Sequence, residues 1–126
     1  MNIKSYLIET NKNICQLDLN ADNSNSFLDN LTLKINEGYN FFIFSFSALN
    51  DAYAFDSLKR ARQLVAEYGG LFIISGRADF AFSLKADGIY LDDNHLNFKV
   101  FSEFFSENFI IVSKVNSRII ADVYVE

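Results

Sequence analysis

The chain has 126 residues, half of them hydrophobic, and a formal net charge of −5; this length predicts a single domain, residues 1–126, with a core of its own. The eleven Lys and Arg residues are scattered, which argues against a nucleic-acid-binding surface, and no apolar run approaches the roughly 18 residues of a membrane-crossing helix. The single cysteine, Cys15, leaves no internal disulfide to form, and the N-terminus lacks the features of a signal peptide, so we expect a cytoplasmic protein without a nucleic-acid or membrane partner.

The first third of the chain is predicted to form two strands and a helix. Residues 3–8 and 14–19 have strand composition, and the polar residues 11–13 between them favour a turn, so an N-terminal hairpin is one interpretation. Apolar residues then recur at helical spacing over residues 27–35, and Gly38 stands where that helix would end.

The middle of the chain carries the clearest patterns. FFIFSF, residues 41–46, is a nearly continuous apolar run of the kind that a parallel sheet buries on both faces. A helix with one apolar face follows, ended by Gly69 and Gly70. LFIIS, residues 71–75, is a further buried strand.

The last third continues the alternation and then breaks it. We predict a short helix at residues 79–85, a strand at 88–91, a helix at 97–107 and a strand at 109–115. Asn116 and Ser117 make a good two-residue turn, so RIIADVYVE would return as an antiparallel strand. The whole pattern predicts an α/β fold with four or five mostly parallel strands and an antiparallel hairpin at one or both ends.

The stretch from about residue 60 to residue 96, RARQLVAEYGGLFIISGRADFAFSLKADGIYLDDNHL, resembles the thiamine phosphate synthase and TenI family. The family pattern there is YG-x-x-[LF]-I-I-N-D-R-x-D-x-A-x-x-x-x-A-D-G-[VI]-H-L-G-Q-x-D. IKSYLIET looks like the first barrel strand, EGYNFFIFSFS stands in the place of the second, and NFIIVSKV is similar to the fifth. Seven residues agree with the pattern in register: Arg77, Asp79, Ala81, Ala86, Asp87, Gly88 and Leu91.

The resemblance implies a TIM barrel, of which this chain would form about half, because a complete barrel takes about 200 residues or more. The family joins a pyrimidine diphosphate to a thiazole phosphate with magnesium and releases pyrophosphate, while TenI relatives tautomerise a thiazole. A half-barrel would leave an apolar face that needs cover, so we expect a homodimer that buries it.

Several functional positions of the family are altered. Ser45 and Ser47 stand where an Arg and a Lys would hold the pyrophosphate, and a hydroxyl cannot replace such a charge. Ser75 replaces an Asn, and Gly76 replaces a magnesium-binding Asp, whereas Arg77 is retained. Arg77 could bind an anion or form a structural ion pair with Asp79 or Asp87.

The predicted strand at 88–91 and the loop after it stand in the place of the family's fourth strand and its loop. There, Tyr90 replaces a His, and His95 replaces the second carboxylate that binds magnesium. Asp92, Asp93 and His95 are candidate metal ligands, and His95 is also a candidate acid or base, although such residues are equally typical of a solvated turn. Ser113 matches a serine of the fifth strand. The candidate ligand-binding residues are therefore Ser45, Ser47, Ser75, Arg77, Tyr90 and Ser113.

These changes favour a degenerate family member that binds a small ligand or a partner without the family's transferase activity. No cofactor is expected, with magnesium needed only if that activity persists. The alternative is an enzyme of thiamine biosynthesis with an altered active site, in which Arg77, His95 and the loop carrying Asp92 and Asp93 would do the chemistry.

Overall fold

The computed structural model describes residues 2–7, 14–91, 109–115 and 118–125. Their strands and helices are, in chain order, β1 (Asn2–Leu7), β2 (Ile14–Leu19), α1 (Phe27–Asn36), β3 (Phe41–Phe46), α2 (Asp51–Glu67), β4 (Leu71–Ser75), α3 (Ala78–Ser83), β5 (Gly88–Leu91), β6 (Ile110–Val115) and β7 (Arg118–Val125). Strands β2 to β6 form a five-stranded parallel sheet with helices between strands, an α/β architecture consistent with part of a TIM barrel. In this described part of the chain, no helix is both long and apolar enough to cross a membrane.

One compact unit spans Asn13–Phe72. Strands β2 and β3 run parallel within it, with Ile14 opposite Phe41 and Leu19 opposite Phe46. Helix α1 makes the connection and ends at Asn36. Two residues later, Gly38 has a φ of +100°, which glycine adopts without strain.

The core of this unit is aromatic. Phe44 is fully buried, and its ring centroid lies 4.8 Å from that of Phe72 and 5.9 Å from those of Phe27 and Phe42. Helix α2 packs a stripe of buried residues at helical spacing, which are Ala54, Leu58, Ala61 and Val65. The predicted strand at 41–46 and the apolar face of the helix after it are therefore confirmed.

Helix α2 has a well-defined start and end. The side chain of Asn50 accepts a hydrogen bond from the backbone N–H of Tyr53 at 2.8 Å and so caps the first turn. At the other end Gly69 has a φ of +72°, and the Cα of Gly70 lies so close to Val65 that a β-carbon would sit 3.0 Å from Cγ1. The Gly-Gly termination predicted from the sequence is confirmed.

The other compact unit comprises Met1–Lys12 and Ile73–Glu126. The end of β4 pairs in parallel with β5, and β5 pairs in parallel with β6. Strand β7 is antiparallel to β6, with Val115 opposite Arg118, which confirms the C-terminal hairpin. Strand β1 then pairs antiparallel with β7.

Two expectations for the N-terminus are wrong. Strand β1 pairs with β7 and β2 pairs with β3, so these strands do not form a hairpin with each other. For the same reason, IKSYLIET is not the first strand of the parallel sheet, and ICQLDL takes that place. The predicted helix at 97–107 and the turn at Asn116 and Ser117 lie outside the described residues.

Candidate functional site

The carboxyl ends of β2 and β3 bring three polar side chains together. Asp18 and Ser45 are opposite each other in the parallel register, and the Ser45 hydroxyl donates to Asp18 Oδ1 at 2.8 Å. Ser47, just beyond β3, donates to Asp18 Oδ2 at 3.0 Å. Asn20 donates through Nδ2 to the same Oδ2 at 3.1 Å. We call Asp18, Ser45 and Ser47 the Asp18 cluster.

The loop after β2 holds Asp18 in place. The Asn23 side chain donates from Nδ2 to the backbone carbonyl of Asp18 at 2.6 Å and accepts from the backbone N–H of Asn20 through Oδ1 at 2.9 Å. Asn20 Oδ1 in turn accepts from the backbone N–H groups of Asp22 and Asn23. Because short polar side chains satisfy the backbone in this way, the loop has a defined conformation without regular secondary structure.

The carboxyl group of Asp18 is held in its charged form. Partial burial by itself would raise its pKa, but the hydrogen bonds from Ser45, Asn20 and Ser47 outweigh burial and leave the pKa below its ordinary value. No cation contributes to this shift among the described residues. Within the described ranges the carboxylate is therefore stabilised by neutral donors, and Asp18 of β2 places negative charge beside the end of β3, where the family resemblance implies positive charge.

The carboxyl end of β4 has a different character. Gly76 adopts a φ of +71°, and its backbone N–H donates to the carbonyl of Tyr90 at 2.9 Å, which ties the turn to β5. Ser75, half-buried, is opposite Tyr90 in the register. The turn is thus fixed by backbone interactions and places Arg77 directly before α3.

Arg77 forms the ion pair with Asp79 that was one of the two interpretations of this residue. Nε donates to Oδ1 at 2.9 Å and Nη2 donates to Oδ2 at 2.8 Å, a two-pronged arrangement that suits a planar guanidinium. The guanidinium also lies 4.5 Å from the ring centroid of Phe80. The hydrogen bond from Arg77 is the largest cause that holds the pKa of Asp79 below its ordinary value, against the opposing effect of burial.

The remaining predicted residues fall into two groups. Tyr90 and Ser113 are both half-buried, on β5 and β6, with Ser113 opposite Leu91 in the register. Asp92, Asp93 and His95 lie outside the described residues, so the predicted metal ligands and the candidate acid or base are without a structural description.

Cys15 is buried, and burial raises the pKa of its thiol, as is typical of a cysteine that packs as a small apolar side chain.

The described residues do not fit the magnesium that the family resemblance implies. Gly76 occupies the place of the first carboxylate ligand and has no side-chain oxygen. Within the described ranges, no three His, Cys, Asp or Glu side chains converge as a metal-binding group. We therefore derive no chemical step through magnesium.

Asp18 is the functional candidate that the sequence analysis missed. Its signal is an acidic residue near the end of a strand, ICQLDLN, opposite a serine of the neighbouring parallel strand. That signal becomes visible only when β2 is paired in parallel with β3. The hairpin interpretation of residues 3–19 concealed it.

The family model described as thiamine monophosphate synthase matches residues 14–120. No curated protein matches the chain. The match begins at Ile14, the first residue of β2, and runs through β6, so it includes the whole five-stranded parallel sheet and omits β1. The chain therefore belongs to the thiamine monophosphate synthase family.

Proposed function

We propose that this chain is a family member that has lost the magnesium-dependent joining reaction and binds a small molecule or a partner instead. The observation that carries the proposal is the Asp18 cluster. A diphosphate group needs cations to stabilise the charge that leaves with it, and here a carboxylate with two hydroxyl donors takes that position. Such a site repels a diphosphate.

The end of β4 supports the same proposal. Gly76 offers no carboxylate for a metal ion, and the guanidinium of Arg77 already donates two hydrogen bonds to Asp79. An anionic substrate would have to compete with a carboxylate only two residues away along the chain. The family's arginine is thus retained with two of its N–H donors directed at a carboxylate of this chain.

The test is a direct assay of the joining reaction. The purified protein is incubated with the pyrimidine diphosphate, the thiazole phosphate and magnesium, and pyrophosphate release is followed. We expect no release above that of heat-denatured protein. Magnesium-dependent release that is abolished in Arg77→Ala would contradict the proposal.

The alternative is an enzyme with an altered active site, and the position of Arg77 is the observation that favours it. Arg77 lies two residues beyond the end of the parallel strand β4, and catalytic residues of (β/α) barrels concentrate at such strand ends. Thiazole tautomerisation needs no diphosphate clamp, so it is the reaction to assay. Turnover that depends on Arg77 and His95 would favour this alternative over the binding module.

Self-association and a cytoplasmic location belong to the main proposal. Leu33, Tyr68 and Phe82 are each about 60% exposed, and they supply apolar surface that a second copy of the chain would cover. Cys15 is a free thiol, as is normal in a reducing compartment. Light scattering after gel filtration tests the first point, and a mass equal to one chain at micromolar concentration would count against a dimer.

A further inference from the structure

We infer that the Asp18 cluster is a binding site for a small organic cation, such as a protonated amine, that carries N–H donors and no phosphate. This inference rests on the proposed function and specifies the ligand of that site. It concerns one compact unit, because Asp18, Ser45 and Ser47 all lie within Asn13–Phe72.

The first step is the direction of the hydrogen bonds. A serine hydroxyl has one proton to donate and two lone pairs that accept. The protons of Ser45 and Ser47 are both directed at Asp18, at 2.8 and 3.0 Å. What these hydroxyls offer a ligand is therefore acceptor capacity alone.

The second step is the capacity that remains on the carboxylate. An ionised carboxylate has about four lone-pair positions. Ser45 uses one on Oδ1, while Ser47 and Asn20 use two on Oδ2. One position on Oδ1 is used by none of the donors in the described part of the chain, and it lies next to hydroxyl oxygens that also accept. The complementary ligand presents several N–H groups close together, on one nitrogen as in an ammonium group or on two as in an amidinium group.

The third step is the charge. Among the described residues no cation lowers the pKa of Asp18, so within this part of the chain its negative charge is not neutralised by a side chain. Asp18 is also held from the main-chain side, since Asn23 donates to its carbonyl at 2.6 Å. A carboxylate that is fixed and solvated on one side attracts a cation without the cost of rearranging first. It repels phosphate for the same reason.

The position agrees with this role. Ligands of parallel α/β sheets bind beyond the carboxyl ends of the strands, and the cluster lies at the carboxyl ends of two adjacent parallel strands. The side chains there are exposed or half-buried and therefore accessible. The family resemblance implies positively charged side chains at this location for an anionic substrate. In this chain the location carries a negative charge instead.

The test uses three probes that share a ring and differ in charge: benzylamine, benzyl alcohol and benzyl phosphate. Binding is followed by NMR shifts of the backbone amides of residues 14–50. We expect benzylamine to bind at least about tenfold more tightly than benzyl alcohol, which corresponds to about 1.4 kcal/mol, with shifts concentrated at residues 18–23 and 45–50. Benzyl phosphate should give no saturable shift there.

Two variants separate the carboxylate from the hydroxyls. Asp18→Asn keeps the shape and removes the charge, so benzylamine should lose its advantage over benzyl alcohol. Ser47→Ala keeps the charge but removes one hydroxyl acceptor, so benzylamine should bind somewhat more weakly than to the original protein and still keep its advantage over benzyl alcohol. Amide spectra of both variants with native dispersion establish that they are folded.

The inference is overturned if benzyl alcohol binds as tightly as benzylamine, if the preference persists in Asp18→Asn, or if benzyl phosphate binds at the cluster. Magnesium chloride alone is a further probe. If magnesium shifts the same backbone amides and binds more tightly than benzylamine, the site binds a metal ion and the inference of an amine ligand is overturned. A negative probe result without pyrophosphate release overturns only this inference, whereas pyrophosphate release overturns the proposed function.

Discussion

The Ser45 hydroxyl donates to the carboxylate of Asp18 at 2.8 Å, and the two residues are direct partners in the parallel register of β3 and β2. They are 27 residues apart in the sequence, separated by helix α1. The β2–α1–β3 unit therefore places a carboxylate beside the two serines that stand where the family resemblance implies cations. In the sequence, Ser45 and Ser47 only replace two positive charges by neutral hydroxyls. With Asp18 beside them, the local charge is negative instead of positive.

Replacement of Asp18 by Asn should give a stability difference that depends on pH. The pKa of Asp18 is depressed in the folded state, so its contribution is present above the unfolded pKa of about 4 and is lost as pH falls through the lower folded pKa. At neutral pH we expect Asp18→Asn to lower the free energy of unfolding by about 0.5–1 kcal/mol, a small value because the side chain is largely exposed.

Urea denaturation of the two proteins between pH 7 and pH 3 measures this difference. Asp79, whose pKa is also depressed, is present in both proteins and cancels from the comparison. We expect the two unfolding free energies to converge below about pH 4. A difference that is constant across this range would mean that the charge of Asp18 is not the cause.

Much of the fold could be predicted from the sequence because local patterns determine it. FFIFSF has four buried positions, Phe41–Phe44, followed by half-buried Ser45, as expected of a strand that a parallel sheet buries on both faces. The helix after it shows buried residues at every third or fourth position. Glycines with positive φ mark the helix ends at Gly38 and Gly69.

Strand partners could not be predicted in the same way. Residues 3–8 and 14–19 have strand composition whether they pair with each other or with distant strands, and the polar residues between them suit a turn in either case. The observed pairing of β2 with β3 requires a helical crossover, a non-local choice that composition does not encode. Asp18 was missed because its role depends on that choice.

Removal of Arg77 should raise the pKa of Asp79. The hydrogen bond from Arg77 is the largest cause of the depressed pKa, and Arg77 contributes a charge interaction as well. We expect the Asp79 carboxyl to titrate at a higher pH in Arg77→Ala and at an intermediate pH in Arg77→Lys, because lysine keeps the charge but not the fork. Carboxyl carbon chemical shifts followed against pH measure this.

The cost to stability should be small, since the Arg77 and Asp79 side chains are 36% and 64% exposed. A double-mutant cycle between Arg77→Ala and Asp79→Ala should give a coupling of about 0.5–1 kcal/mol. The titration of Asp18 is the internal control, because burial and the hydrogen bonds from Ser45, Asn20 and Ser47 determine its pKa and Arg77 does not contribute. An unchanged Asp79 titration in Arg77→Ala would show that the pair does not form in solution.

Gly88→Ala should destabilise the sheet strongly. A β-carbon at Gly88 would overlap the carbonyl oxygen of Ile110 and lie 2.8 Å from Ile110 Cβ and Ile73 Cδ1. Because the contacts include backbone of the adjacent strand β6, a side-chain rotation cannot relieve them, and we expect a loss of about 2–3 kcal/mol. Gly76→Ala is the matched control: its β-carbon would meet nothing within 4 Å, and only its φ of +71° carries a cost, about 1 kcal/mol. Equal losses in the two variants, measured by urea denaturation, would contradict the close approach of β5 to β6.

Phe44→Ala should be among the most destabilising substitutions in the chain. Phe44 is fully buried, and its ring packs against those of Phe27, Phe42 and Phe72. Truncation would leave a cavity lined by these three rings, which cannot move in to fill it because α1, β3 and β4 hold them in place. We expect a loss of about 3–5 kcal/mol in the free energy of unfolding. Phe82→Ala is the control, because Phe82 is 62% exposed and its truncation should cost no more than about 0.5 kcal/mol. If Phe44→Ala does not fold, Phe44→Leu retains most of the volume and should lose about 1–1.5 kcal/mol. A loss for Phe44→Leu no larger than that for Phe82→Ala would mean that the aromatic cluster does not form the core around β3.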